Sequence, residues 1–408
     1  MNRLAAVLVF AALSAHAQPP ALPAGTRSAD APQTTTPVAP NSLDAAEDAM
    51  VKHDWSTALT LLQKHLATNP PSSEAARAQY DIGFCDEAVE KPDDAAEAYR
   101  KAIAADAKQF EAHAALGRLL VEQGKTAEGR AELVLASNLS PAAGDANAAK
   151  AEVYRALAKI DRLDNPPQAS AELIEALKLT PETLGDMLLS AEIAENSGDL
   201  PGAEAAYRKA AVSAPDSVQA SASLAHLLIK EEKYADAVPF AEHVHASVPD
   251  DTEVAHLLAN LYLETGDAEK ADALEAALIA TAEGSRDPAL YVSRGESLLR
   301  QHDYAGAQAA YQHAADLNSK LVDAWSGLAF AASENHQYPI ALQALTMRSK
   351  LEPDPPAALF LWGTTYDNLH QYKSAMTYYK RFLTAAKGNF PDQEFEARHR
   401  LLALERMH

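Results

Sequence analysis

The sequence predicts an all-α solenoid, a stack of helical hairpins, and three observations carry that prediction. Alanine dominates the composition, while only 6% of the 408 residues are aromatic and 16 are glycine, the makeup of helical chains with aliphatic cores. Small residues and prolines recur with a 34-residue period, inside the range that marks repeat architectures. Within each period apolar residues fall three and four apart, as in Ala115, Leu116, Leu119 and Leu120, which puts them on one face of an α-helix.

Composition narrows the field further. With 48% hydrophobic and 23% charged residues the chain is no disordered polyelectrolyte. Cys85, the one cysteine, excludes an internal disulfide and any multi-cysteine metal site; it falls within a first helix and reads as a small packed hydrophobe. The formal charge is −22.

Met1 to Ala17 opens with Arg3, continues with the apolar run Leu4 to Leu13 and closes on Ala15-His16-Ala17 before Gln18. A basic start, a short apolar middle and a small-x-small end have the order of a secretory leader cleaved after Ala17. The run is well short of the roughly 20 residues a spanning helix needs, so no membrane span is expected after cleavage. Losing Arg3 makes the charge one unit more negative, which repels phosphates, so nucleic acid is not an expected partner. Residues 18–40, rich in Pro and Thr and without apolar periodicity, cannot bury enough surface to offset ordering and read as a linker.

The repeat body is expected over 41–390, in units 39–72, 76–109, 110–143, 150–183, 184–217, 218–251, 252–285, 288–321, 322–355 and 356–389. The eighth residue of the unit is Ala or Gly except at Leu157, and the twentieth is Ala except at Gly129. The twenty-fourth is large: Leu62, Tyr99, Leu133, Leu173, Tyr207, Tyr311, Leu345 and Tyr379, with Ala241 and Glu275 departing and Phe240 and Leu274 placed to take over their packing. Small side chains at two helix faces let backbones approach, and the large one fills the space beside them. Gly124, Gly198 and Gly266 punctuate mid-unit, where a left-handed residue ends a helix. An aromatic at Trp55, Tyr234, Tyr304, Tyr338 or Tyr372 starts the second helix, and Pro70, Pro141, Pro181, Pro215, Pro249 and Pro353 mark its end. The junction from Gly144 to Ala149 is loose and predicts a local break in curvature. Residues 391–408, with Phe395, Leu401, Leu402 and Leu404, read as a capping helix that shields an open array.

In its small, small, large and proline positions, over nearly all of the chain after the linker, the pattern resembles the tetratricopeptide repeat family. The resemblance implies a right-handed superhelix in which each hairpin contacts mainly its neighbours, and a concave groove lined by the second, fifth, ninth, twelfth and thirteenth residues of each unit. Carried across, the fifth and ninth positions give Tyr80, Phe84, Arg118, Tyr154, Glu192, His226, His256, Asn260, Phe330 and Phe360; the thirteenth gives Arg162 and Asn368. Aromatics at these positions are expected to be free of packing duty, and exposed aromatics beside amides and charges are what a peptide groove uses as anchors.

Catalytic signatures are missing. No Gly-x-Ser-x-Gly, His-Glu-x-x-His, phosphate-binding glycine loop or EF-hand loop occurs. His243 and His245, two residues apart on a helix, point to different sides, so no metal is expected there, and no cofactor is expected at all. The acidic pairs Asp93-Asp94 and Asp250-Asp251 sit at helix starts, where the helix dipole favours them. The sum is a non-enzymatic interaction scaffold of the bacterial cell envelope or exterior, periplasmic or secreted, holding an extended or helical protein segment in its groove. An accessory role in polysaccharide export or surface-polymer assembly, with a glycan ligand, is the alternative.

Overall fold

The computed structural model describes residues 42–142 and 145–407. The leader over 1–17, the linker over 18–40 and Gly144 of the loose junction lie outside the described residues. The described residues form twenty-one α-helices and one short 3₁₀ turn, with no strand among them; the all-helical fold is the one observed. They divide into two compact units, ending and starting at Ala220 and Ser221.

In the first unit α1 (Ser42–Val51) pairs with α2 (Trp55–Leu66), α3 (Ser72–Ala88) with α4 (Pro92–Ala105) and α5 (Phe110–Glu122) with α6 (Thr126–Ser137). Then α7 (Ala146–Asp161) pairs with α8 (Pro166–Leu179), and α9 (Leu184–Asn196) with α10 (Leu200–Ser213). The second helices α2, α4, α6 and α8 also pack on the first helix of the next pair, so the core is a row of nearest-neighbour contacts.

The second unit starts within α11 (Val218–Lys230) and continues with α12 (Tyr234–Ser247). There follow the pairs α13 (Thr252–Thr265) with α14 (Ala268–Ile279), and α15 (Pro288–Arg300) with α16 (Tyr304–Leu317). The pairs α17 (Val322–Glu334) with α18 (Tyr338–Leu351), and α19 (Pro356–Asn368) with α20 (Tyr372–Ala386), complete it, and α21 (Pro391–Met407) lies against α20. The 3₁₀ turn is Gly284–Arg286.

Packing follows the small-and-large logic. The twentieth-position alanines, from Ala58 to Ala375, are fully buried. Where the eighth position is glycine, the twenty-fourth often fills the gap with a tyrosine ring: a Cβ at Gly83 would meet Tyr99 at 2.5 Å, and one at Gly295 or Gly363 would meet Tyr311 or Tyr379 at 2.7 Å. Glu275 is one of the two departures at the twenty-fourth position. Its carboxylate is fully buried and accepts hydrogen bonds from Ser297 Oγ at 2.7 Å and from Ser293 Oγ, both on α15. Burial pushes its pKa up to about 7, against the pull of the two serines. Leu274, one residue earlier, packs beside Leu278 and Leu290.

Nine of the ten mid-unit turns, all but the one between α7 and α8, share one backbone conformation. Gly124, Gly198 and Gly266 have φ of 78°, 84° and 88°, and His53, Glu90, Glu232, His302, His336 and His370 take the same left-handed region without being glycine. Three of those histidines are tied to the aromatic that starts the next helix. The Nδ1 of His302, His336 and His370 lie 2.9, 3.0 and 3.0 Å from the hydroxyls of Tyr304, Tyr338 and Tyr372. Beside them, Asp54, Asp199 and Asp303 cap the second helices by accepting from the N–H groups of Thr57, Gly202 and Gly306. Asp251 caps α13 in the same way.

Candidate functional site

The residues expected to line a groove all sit on the first helices of their pairs or on the residue that follows, and the two units use them differently. In the first unit they are drawn into the fold. Tyr80 packs with Leu116 and Leu119, its ring 5.6 Å from that of Tyr99, and burial raises its hydroxyl pKa. Phe84 packs with Leu43, Met50 and Leu62, 6.1 Å from the Trp55 ring. Tyr154 lies against the cluster of Phe110, Leu133, Val153 and Leu157. The expected freedom of these rings from packing duty is thereby corrected: a neighbouring pair leans close enough to cover them.

The charged candidates of this unit are also engaged. Arg118 on α5 binds Glu87 on α3 and, at 2.8 Å, Glu122 one turn on. Burial works against the Arg118 charge, but the Glu87 and Glu122 carboxylates outweigh it and raise its pKa. Glu87 also accepts the Tyr99 hydroxyl at 2.6 Å. Further along, Arg162 and Glu192 form an ion pair at 3.0 Å between adjacent helix pairs. The first-helix face of this unit is a line of side chains that fastens each repeat to the next.

In the second unit the same positions are less committed. Phe330 on α17 is 45% exposed, the most open of the five aromatics named. Asn368 is exposed and donates from Nδ2 to the carbonyl of Thr364 at 2.9 Å. His226 and Asn260 are half-buried, and His256 lies 3.8 Å from the Asp287 carboxylate. Phe360 repeats the correction made for Tyr80, packing 5.1 Å from the Phe382 ring.

One functional pattern went unread in the sequence. An acidic residue at the twelfth position takes the hydroxyl of the tyrosine at the twenty-fourth. Glu87 does so for Tyr99, Asp367 for Tyr379 at 3.4 Å and Glu195 for Tyr207. Asp367 is further held by Arg400 of α21 at 2.5 and 2.9 Å. The signal was available as an acid twelve residues ahead of a repeat tyrosine.

Elsewhere a cleft of about 520 Å³ in the first unit lies between α2, α3 and α4 and involves none of the twelve candidates. Among the described residues no group of three or more His, Cys, Asp or Glu side chains is placed to hold a metal ion, and no helix is long and apolar enough to cross a membrane. Cys85 is fully buried, and burial pushes its thiol up to about 12.

Family models described as tetratricopeptide repeat match residues 87–141, 155–218 and 228–290, and the chain carries tetratricopeptide repeats there. The chain is similar to a BBSome complex member BBS4 homolog of Drosophila melanogaster, 24% identical over 197 residues. That match covers 47% of this chain and 40% of the relative. Among solved structures, it is similar to the C-terminal part of a TPR repeat-containing protein from Cytophaga hutchinsonii, at 12% identity and a TM-score of 0.43, covering 70% of this chain and 99% of the other. It is also similar to yeast Tom70, at 13% identity and a TM-score of 0.37, covering 90% and 95%.

Proposed function

Because the chain carries tetratricopeptide repeats, we propose that it is a non-enzymatic interaction scaffold of the bacterial cell envelope or exterior, holding an extended or helical segment of a partner protein. The partner lies along the first-helix face of the second unit. The observation that carries this reading is Phe330, which stands 45% exposed at a position whose counterparts in the first unit, Phe84 and Arg118, are tied into packing or ion pairs. A large exposed ring supplies contact area at little entropic cost. The leader-like start at Met1 to Ala17 supports export, and the missing catalytic signatures support binding without chemistry.

The test is affinity capture from envelope extract with the full chain after its leader. Phe330→Glu and Asn368→Ala are expected to lose a protein that the wild type and an Ile174→Ala control retain, with helicity unchanged. Retention by Phe330→Glu overturns the reading, as does glycan binding with no protein partner, which favours the surface-polymer role. N-terminal sequencing of the exported protein is expected to begin at Gln18.

A further inference from the structure

The helix α21 has two faces, and only one is accounted for by the fold. Glu394, Ala397, Leu401 and Leu404 are buried, the three apolar ones against Phe382 and Ala386 of α20. On the opposite side Asp392, Phe395, His399, Leu402 and Arg406 are all exposed. They follow one another at spacings of three, four, three and four residues, the seam of a helix that meets another helix. Phe395 is 71% and Leu402 57% exposed, and the Phe395 and His399 rings stack at 6.2 Å. A helix that served only to shield an array would carry polar side chains there.

We propose that this seam docks a second copy of the same chain, α21 against α21, antiparallel about a two-fold axis near His399. The charges select that occupant. Asp392 and Arg406 stand seven residues on either side of His399, so antiparallel pairing sets Asp392 against the partner's Arg406 twice, once at each end. It also lays Phe395 over the partner's Leu402. Parallel pairing would set like charge against like at both ends, which is destabilising. A self-complementary patch of this kind closes as a dimer and stops. One helix pair buries less than a permanent interface requires, so the dimer is a weak one that assembles with concentration.

Sedimentation velocity on the full chain after its leader, from about 1 μM to about 300 μM, brackets such an interface. The expected result is a monomer that converts to a dimer across that range. Phe395→Glu and Leu402→Glu are each expected to abolish it, and Asp392→Arg or Arg406→Asp to weaken it by at least ~10-fold. The equimolar mixture of Asp392→Arg with Arg406→Asp is expected to regain the dimer, because in the mixed pair both charge contacts are again opposite in sign. His399→Cys is expected to form an intermolecular disulfide on oxidation, whereas the wild type, whose Cys85 is fully buried, does not. A monomer throughout the range, a dimer that survives Phe395→Glu, or a mixture that fails to recover would each overturn the proposal. Phe330→Glu, which tests partner capture, is expected to leave the dimer unchanged.

Discussion

The ring of Tyr99 occupies the space that a side chain at Gly83 would need, with Cε1 2.5 Å from where the Cβ would sit. Small and large residues sixteen apart in the sequence are therefore one packing unit. Gly83→Ala is expected to destabilise the chain by about 1–3 kcal/mol, the cost of overpacking a filled core. Adding Tyr99→Leu should return part of that loss. Urea denaturation of the two single variants and the double variant reads the coupling, and strict additivity would count against the contact.

Glu275 makes stability depend on pH. Its carboxyl is raised from an ordinary value of 4.5 to about 7 in the fold, so the folded chain holds a proton that the unfolded chain releases. The stabilising contribution is full below pH 4.5, falls as pH rises through 7 and is flat beyond. Glu275→Gln keeps the two serine contacts and never ionises. The variant is expected to match the wild type near pH 4 and to exceed it by about 2–3 kcal/mol at pH 8. Chemical denaturation at the two pH values checks this.

Glu232 stands exposed at a φ of 60° with a side chain, where Gly124 and its counterparts have none. Glu232→Gly is expected to stabilise the turn between α11 and α12 by roughly 0.5–1 kcal/mol, since relief of the left-handed strain outweighs the added freedom of the unfolded chain. The thermal midpoint should rise.

Arg118 and Glu87 link α5 to α3 with side chains 39% and 21% exposed. A double-mutant cycle with Arg118→Ala and Glu87→Gln is expected to give a coupling of about 0.5–1 kcal/mol that shrinks as salt is added. A coupling insensitive to salt would point to packing in place of charge.

The helical fold was legible because each of its causes is local. Alanines every 34 residues, Asp caps such as Asp303 and helix-starting aromatics such as Tyr338 act within a turn or two of themselves, so their spacing survives into the structure. The face of a first helix was legible too, but its occupancy was not. Tyr80 reads the same whether it meets solvent or Leu116 of the next pair, since the period places a residue on a helix face without saying how far the neighbouring pair leans over it. Arg118 likewise reads as a groove charge until Glu87, thirty-one residues earlier, is seen to reach it. Glu275 was visible only as a broken rule. Its two serine donors come from the next pair, α15, and nothing in its own unit announces them.

The tyrosine at the twenty-fourth position held by an acid at the twelfth recurs in α3–α4, α9–α10 and α19–α20 and is missing from α13–α14, where a carboxyl takes the tyrosine's place. Mechanical resistance along the chain is therefore uneven. Stretched in an optical trap at neutral pH, the seventh hairpin is expected to yield at lower force than those three, and acidifying the medium should narrow the difference.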